Sequence, residues 1–138
     1  MTVPFAAMRG KLPLPAQGEL VRKFGDNDGQ GQTSRGIVME TRAGAQIVAP
    51  YDGRIVYAGP FRGYGLLLIV EHGEGYHTLL AGLTKIDTVV GQWVLAGEPV
   101  ATMGNSGRES RQLYIETRRH SQPFDPLSWY VANKDKVG

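Results

Sequence analysis

Hydrophobic positions along the chain fall in short, partly alternating runs that glycines interrupt. The runs are Leu20 to Phe24, Gly36 to Glu40, Gln46 to Ala49, Arg54 to Ala58, Leu66 to Glu71, His77 to Ala81, the neighbourhood of Val94, Val100 to Thr102, and Leu113 to Thr117. Runs of about 4–8 residues, recurring every 8–12 or so and bounded by turn residues, predict an all-β domain. Val90-Gly91, Val94, Gly97, Val100 and Gly104 add tight turns between very short strands, so the expected architecture is a compact sandwich and barrel-like hybrid. A helical pattern occurs only over Pro126 to Asn133, with proline at its first turn and room for about two turns.

The start of the chain is different. Residues 1–18 hold three of the eight prolines, and Lys11-Leu12-Pro13-Leu14-Pro15 reads as an extended arm that stops at Gly18. A single domain over 19–138 follows from that boundary. Gly25 to Gln32 is a polar, glycine-rich loop without an apolar period, and mobility is expected of it.

Composition narrows the function. A chain of 138 residues is one domain by size, and 19 glycines, about 14%, are twice ordinary usage and call for many turns. With no cysteine there is no disulfide framework, thiolate metal site or cysteine nucleophile. The formal charge of +2 is too small to argue for nucleic acid. The longest apolar run, Leu66 to Val70, falls far short of the roughly 20 residues that a spanning helix needs, so no membrane insertion by this segment is expected.

Candidate chemistry is sparse. Of the three histidines, His72, His77 and His120, the first two could meet across the Gly73-Glu74-Gly75 turn, but a third zinc ligand is not evident and hydrogen-bonding histidines are the simpler reading. Asp26, Asp28 and Gly31 open like a calcium loop, but Ile37 stands where a bidentate glutamate is required. Ser106 in Gly104-Asn105-Ser106-Gly107 has no assignable base and reads as a turn residue. Arg108, Arg111, Arg118, Arg119 and His120 form the densest positive stretch, suited either to solvent or to an acidic partner.

Three ordered blocks change the picture. Gly44 to Val56 (GAQIVAPYDGRIV), Gly63-Tyr64-Gly65 with Val70 to Tyr76 (VEHGEGY), and Leu113 to Arg118 followed by Pro123-Phe124-Asp125-Pro126 resemble the LytM or lysostaphin-type zinc endopeptidases, from about Ser34 to Tyr130. That family cuts peptidoglycan cross-bridges with zinc held by an H-x-x-x-D element and the second His of an H-x-H element, while further histidines assist. By this resemblance the ligand positions of the first element hold Ser34 and Val38. The tyrosine-alanine-histidine-leucine block reads Leu80-Ala81-Gly82-Leu83, so Gly82 stands for the assisting histidine, and the H-x-H pair is Gln112 and Tyr114. Valine has no lone pair and a neutral tyrosine is a feeble zinc ligand, so the resemblance implies a lost site with no metal, no cofactor and no hydrolysis.

The same pattern looks like the degenerate branch typified by EnvC-like murein hydrolase activators. It implies a non-catalytic, periplasmic domain that stimulates a zinc-dependent peptidoglycan amidase in cell separation by binding the helix that blocks the amidase's active site. The expected groove consists of Arg35, Val38, His72, Tyr114 and Arg118: Tyr114 and Val38 as apolar anchors, the two arginines as charge clamps, and His72 as a hydrogen-bonding wall. Members of that branch are exported and carry an N-terminal coiled coil, so these residues correspond to a C-terminal domain. The competing readings are a passive peptidoglycan-binding module using the basic stretch with Tyr57, Tyr64 and Tyr76, and an active zinc endopeptidase with an unusual ligand set. A biotinyl or lipoyl carrier is a remote third, because Lys85 lacks the required hairpin context.

Overall fold

In a computed structural model of the chain, residues 3–27 and 29–131 are described; Asp28 and Asn133 lie outside them. Eleven strands account for most of the regular structure: β1 (Gly18–Arg22), β2 (Ile37–Thr41), β3 (Gln46–Val48), β4 (Gly53–Phe61), β5 (Gly65–Gly73), β6 (Tyr76–Leu83), β7 (Lys85–Ile86), β8 (Trp93–Val94), β9 (Pro99–Thr102), β10 (Gln112–Arg119) and β11 (Gln122–Phe124). The all-β expectation therefore holds, and every hydrophobic run named above contains or overlaps a strand. The two strands without a run, β7 and β11, have two and three residues, too short to carry a period.

An eight-stranded antiparallel sheet runs β1-β2-β10-β6-β5-β4-β8, with β11 paired to β10, and a three-stranded sheet runs β3-β9-β7. Both sheets are open at their edges, and no barrel closes among the described residues. Because successive side chains alternate across a sheet, each face of the large sheet is legible from register. Leu68 and Val70 of β5, Leu80 of β6, Leu113 and Ile115 of β10 and Ile37 and Met39 of β2 join Ile47, Val100 and Ala101 of the small sheet in the main core. On the opposite face Leu67, Leu79 and Ala81 form a second, smaller cluster with Tyr57, Tyr64, Ile69 and Tyr114 packed on it.

The N-terminal residues are part of this core. Phe5–Met8 make a 3-10 turn, and Phe5, only 1% exposed, lies between the rings of His72, Tyr76 and Trp129 at 4.7, 4.7 and 5.2 Å. Leu12 then bridges Tyr130 in parallel. The helix expected over Pro126 to Asn133 is a single 3-10 turn, Leu127–Trp129, after which Tyr130 is extended. Pairing with the N-terminal segment decides this: Leu12 N–H donates to the Trp129 carbonyl at 3.0 Å and Val131 N–H to the Leu12 carbonyl at 2.8 Å, which takes backbone groups that a longer helix would use. The polar loop at 25–32 is tied by the Asn27–Thr33 bridge and by reciprocal bonds, Gly25 N–H to the Ser34 carbonyl and Ser34 N–H to the Asp26 carbonyl. These contacts hold the base of the loop, at residues 25–27 and 33–34.

Candidate functional site

The second, smaller cluster floors a cleft of about 490 Å³. The β2–β10–β6 register builds it: Val38 stands opposite Tyr114, and Tyr114 opposite Ala81. Gly36 lets the chain before β2 cross close above β10. A Cβ there would lie 2.3 Å from the Ile115 carbonyl and 3.0 Å from the Tyr114 ring, so only glycine fits. One wall is Gln32, Thr33, Ser34 and Arg35 with Arg22 of β1; the other is Gly63 and Tyr64 of the β4–β5 turn; Ala81, Gly82 and Tyr114 complete it. Two arginines and no carboxylate are among these lining residues, which makes the mouth electropositive.

Tyr114 holds the deepest polar contact. Its hydroxyl donates to Glu116 Oε1 at 2.5 Å, and Nε of Arg118 donates to the other oxygen of the same carboxylate. Glu116 has 0% exposure, so its charge is carried entirely by these partners. Burial, and then the neighbouring carboxylate, push the Tyr114 phenol well above its ordinary range and keep it protonated. The ring packs 6.0 Å from Tyr64, which in turn lies 5.9 Å from Phe61, giving the cleft an aromatic side.

The expected groove residues separate on this geometry. Arg35 and Tyr114 line the cleft; Val38, half-buried, flanks Tyr114 on the next strand. Arg118 lies on the same face as Tyr114, four residues along β10, outside the cleft and engaged by Glu116. His72 is not a wall of the cleft. It belongs to the opposite face, stacked on Phe5, with Nδ1 donating to the Asp52 carbonyl at 2.9 Å and Nε2 accepting from the Thr78 hydroxyl at 2.8 Å. The carbonyl can only accept, which fixes the neutral tautomer. Burial holds the pKa of His72 down to about 4, against the opposing effect of the Asp52 carbonyl.

The positions that the resemblance ties to metal or catalysis are distributed similarly. Ser34 and Gly82 line the cleft, Ser34 donating its hydroxyl to the Gly36 carbonyl at 2.8 Å. Gln112 stands at the start of β10, opposite Glu40. Among the described residues no group of three or more His, Cys, Asp or Glu side chains is arranged to hold a metal ion.

The basic stretch is not one patch. Arg108 and Arg111 pair with Glu40, Arg118 pairs with Glu116, and Arg119 projects to the other face, over the Tyr76 ring. Lys85 pairs with Asp87 at 3.3 Å. Arg22 is the cleft residue that sequence reasoning missed. It reaches the site because β1 pairs with β2, setting Arg22 opposite Val38, and a pattern read one strand at a time does not contain that pairing.

The sequence pattern of Peptidase family M23 matches residues 32–126. The chain is 36% identical over 125 residues to the murein hydrolase activator EnvC of Escherichia coli, covering 89% of this chain and 30% of that protein. It is 37% identical over 132 residues to the murein hydrolase activator NlpD of Salmonella dublin, covering 93% and 32%. The chain thus spans about a third of the length of these curated relatives. A crystal structure described as a putative peptidase M23 from Pseudomonas aeruginosa superimposes with a TM-score of 0.77 at 26% identity, covering 96% of this chain and 54% of that one. With a match across most of its length in sequence and in fold, the chain belongs to peptidase family M23, the LytM-type domains, and its named relatives are activators of murein hydrolysis.

Proposed function

We propose that this domain is a non-catalytic activator of peptidoglycan amidases in the cell envelope, acting in the periplasm. One observation supports the reading: the cleft that holds Ser34, Gly82 and Tyr114, positions that the resemblance ties to metal or catalysis, is lined also by Arg22 and Arg35 and by no His, Asp or Glu. The residues at those positions do not fit zinc. Val38 has no lone pair, the Ser34 hydroxyl is spent on the Gly36 carbonyl, and the Tyr114 hydroxyl is spent on Glu116 with its phenolate disfavoured. Gly82 cannot be replaced by a histidine without moving the chain, since its φ is +79° and a Cβ would lie 2.6 Å from the Gln112 carbonyl.

An open cleft with an apolar floor, one aromatic wall and a cationic rim suits a partner helix whose apolar stripe carries acidic flanks. The stripe buries against Tyr114 and Tyr64, while Arg22 and Arg35 set orientation and on-rate. Arg118 is a support for the floor rather than a clamp, because Glu116 already occupies its guanidinium. If the captured helix is the one that blocks the amidase, capture stabilises the amidase's open form by the difference in affinity and no more.

The test is dye release from labelled sacculi by purified zinc amidase, with and without this chain. Tyr114→Ala and Arg35→Ala are expected to lower stimulation at least fivefold; unchanged stimulation by both removes the cleft from the account. Dye release by the chain alone, with zinc supplied, would instead establish a peptidase.

A further inference from the structure

Exposed apolar side chains concentrate at one edge of the large sheet. Val89, Val90, Trp93 and Leu95 all lie there, and Trp93 is 74% exposed. Single exposed apolar residues are ordinary, but a run of them marks a contact surface. The segment is also held in shape. Val89 N–H donates to Gln92 Oε1 at 3.2 Å, and Gln92 N–H returns to the Val89 carbonyl at 3.1 Å. Leu95 N–H donates to Glu98 Oε1 at 3.0 Å, and Glu98 N–H returns to the Leu95 carbonyl at 2.9 Å. Between these two turns β8 pairs with β4, which sends Val94 into the core and leaves Trp93 projecting from the other side. A tryptophan on so fixed a backbone loses little freedom when it binds.

Trp93 and the cleft share one face of the sheet. Trp93 stands opposite Arg54, Arg54 opposite Glu71, Glu71 opposite His77, and His77 opposite Arg118. Opposed residues of antiparallel strands project to the same side, and Arg118 lies on the Tyr114 side of β10. The small sheet and the N-terminal segment pack on the other face, with the main core between. On the shared face β8 is four strands from β10, about 19 Å at the usual strand spacing.

The two ends of that face are complementary. Beside Leu95, the Glu98 and Asp52 carboxylates cap the N–H groups of Leu95 and Ala96, the second at 2.8 Å, and neither forms an ion pair among the described residues. Arg54, next to Trp93, has Glu71 on its other side. One end therefore presents an indole backed by two uncompensated carboxylates. The other end is a concavity with the partly exposed rings of Tyr64 and Tyr114, rimmed by Arg22 and Arg35 and lined by no acid. Aromatic rings pair edge to face with an indole, and guanidiniums take carboxylates through charge-assisted hydrogen bonds.

We infer that a second copy of this chain occupies the cleft. Two copies pack face to face about a two-fold axis, Trp93 of each against Tyr64 and Tyr114 of the other, with Asp52 and Glu98 toward Arg22 and Arg35. Because both halves of the contact lie on one face at opposite ends, a single two-fold that exchanges them satisfies both contacts, and association closes at a dimer. Two small contacts put this dimer at the weak, transient end of interfaces, populated at high local concentration. The dimer covers the cleft that the amidase reading gives to the blocking helix, so self-association competes with activation. That consequence rests on the reading above; the dimer does not.

Sedimentation velocity of the full chain over a concentration series is expected to pass from monomer to dimer, less readily at high salt. Tryptophan emission should shift to the blue as the dimer forms, because Trp93 is exposed in the monomer whereas Trp129 is already buried. Trp93→Ala and Arg35→Glu, both at exposed positions, should each raise the dissociation constant about tenfold or more, since each weakens both contacts of the symmetric pair. Mixed together, the two variants should form a 1:1 dimer more tightly than either does alone, because one keeps an intact cleft and the other an intact Trp93. At high concentration Trp93→Ala should stimulate an amidase more per molecule than the parent does. Self-association is read without any amidase, so its failure is told apart from a failure of the amidase reading. A parent chain that stays monomeric up to about 1 mM, a dimer unchanged by both variants, or no gain on mixing them would each overturn the inference.

Discussion

The Tyr114 hydroxyl sits 2.5 Å from a carboxylate oxygen of Glu116, two residues along the same strand and closed off from water. Both project to one side of β10, and Arg118, the next residue on that side, completes the row. A carboxylate that no solvent reaches is thereby hydrogen-bonded by one phenol and paired with one guanidinium.

Removal of either donor leaves that charge under-satisfied. Tyr114→Phe is expected to cost about 1.5–3 kcal/mol, the range for a hydrogen bond to a charged group. Arg118→Ala should cost more, toward the roughly 3–5 kcal/mol of a broken buried pair, but below it because the guanidinium is partly exposed. Urea unfolding at neutral pH measures both. Tyr114→Phe retains the ring at the cleft floor, so its effect on amidase stimulation should be smaller than that of Tyr114→Ala.

His72 makes stability depend on pH. Its folded pKa, about 4, lies below the ordinary 6.5, so between these values the unfolded chain binds the extra proton and acid favours unfolding. The stabilisation is complete above about pH 6.5, falls as pH drops, and is gone near pH 4; it amounts to about 3 kcal/mol by linkage. Unfolding free energies at pH 7 and pH 5 should differ in the parent and differ much less in His72→Gln.

Phe5 should anchor the N-terminal segment. Phe5→Ala removes a ring that contacts His72, Tyr76 and Trp129, and a loss of about 3–5 kcal/mol is expected for a buried phenylalanine. The same variant lets water reach His72, so its pKa, followed by imidazole proton shifts, should rise toward 6.5. A stability loss with an unmoved His72 pKa would show that Phe5 does not exclude water there.

Gly82 tests whether the missing histidine could simply be restored. A left-handed conformation costs a non-glycine residue about 1–2 kcal/mol, and the approach of the Gln112 carbonyl adds a clash. Gly82→Ala should therefore lower stability by about 2 kcal/mol or more. Ser34→His, Val38→Asp, Gly82→His, Gln112→His and Tyr114→His together should recover no peptidoglycan cleavage when zinc is supplied, checked by release of cross-bridge fragments.

The strands are legible without coordinates, because a two-residue period and glycine punctuation are local properties that each segment carries in itself. The sequence also carried the family resemblance, through blocks such as Gly44 to Val56 and Leu113 to Arg118 that lie within the matched residues 32–126. Only the tertiary structure decided which of these share a surface. His72 and Tyr114 both lie in family blocks, yet register sends them to opposite faces, one under Phe5 and one into the cleft. Arg118 and Arg119 are neighbours in sequence and face opposite ways, which dissolves the apparent basic patch and puts one guanidinium on Glu116 and the other on Tyr76. Burial and strand pairing act between residues far apart in the chain, as Val38 with Tyr114 and Phe5 with Trp129, so no local pattern encodes them.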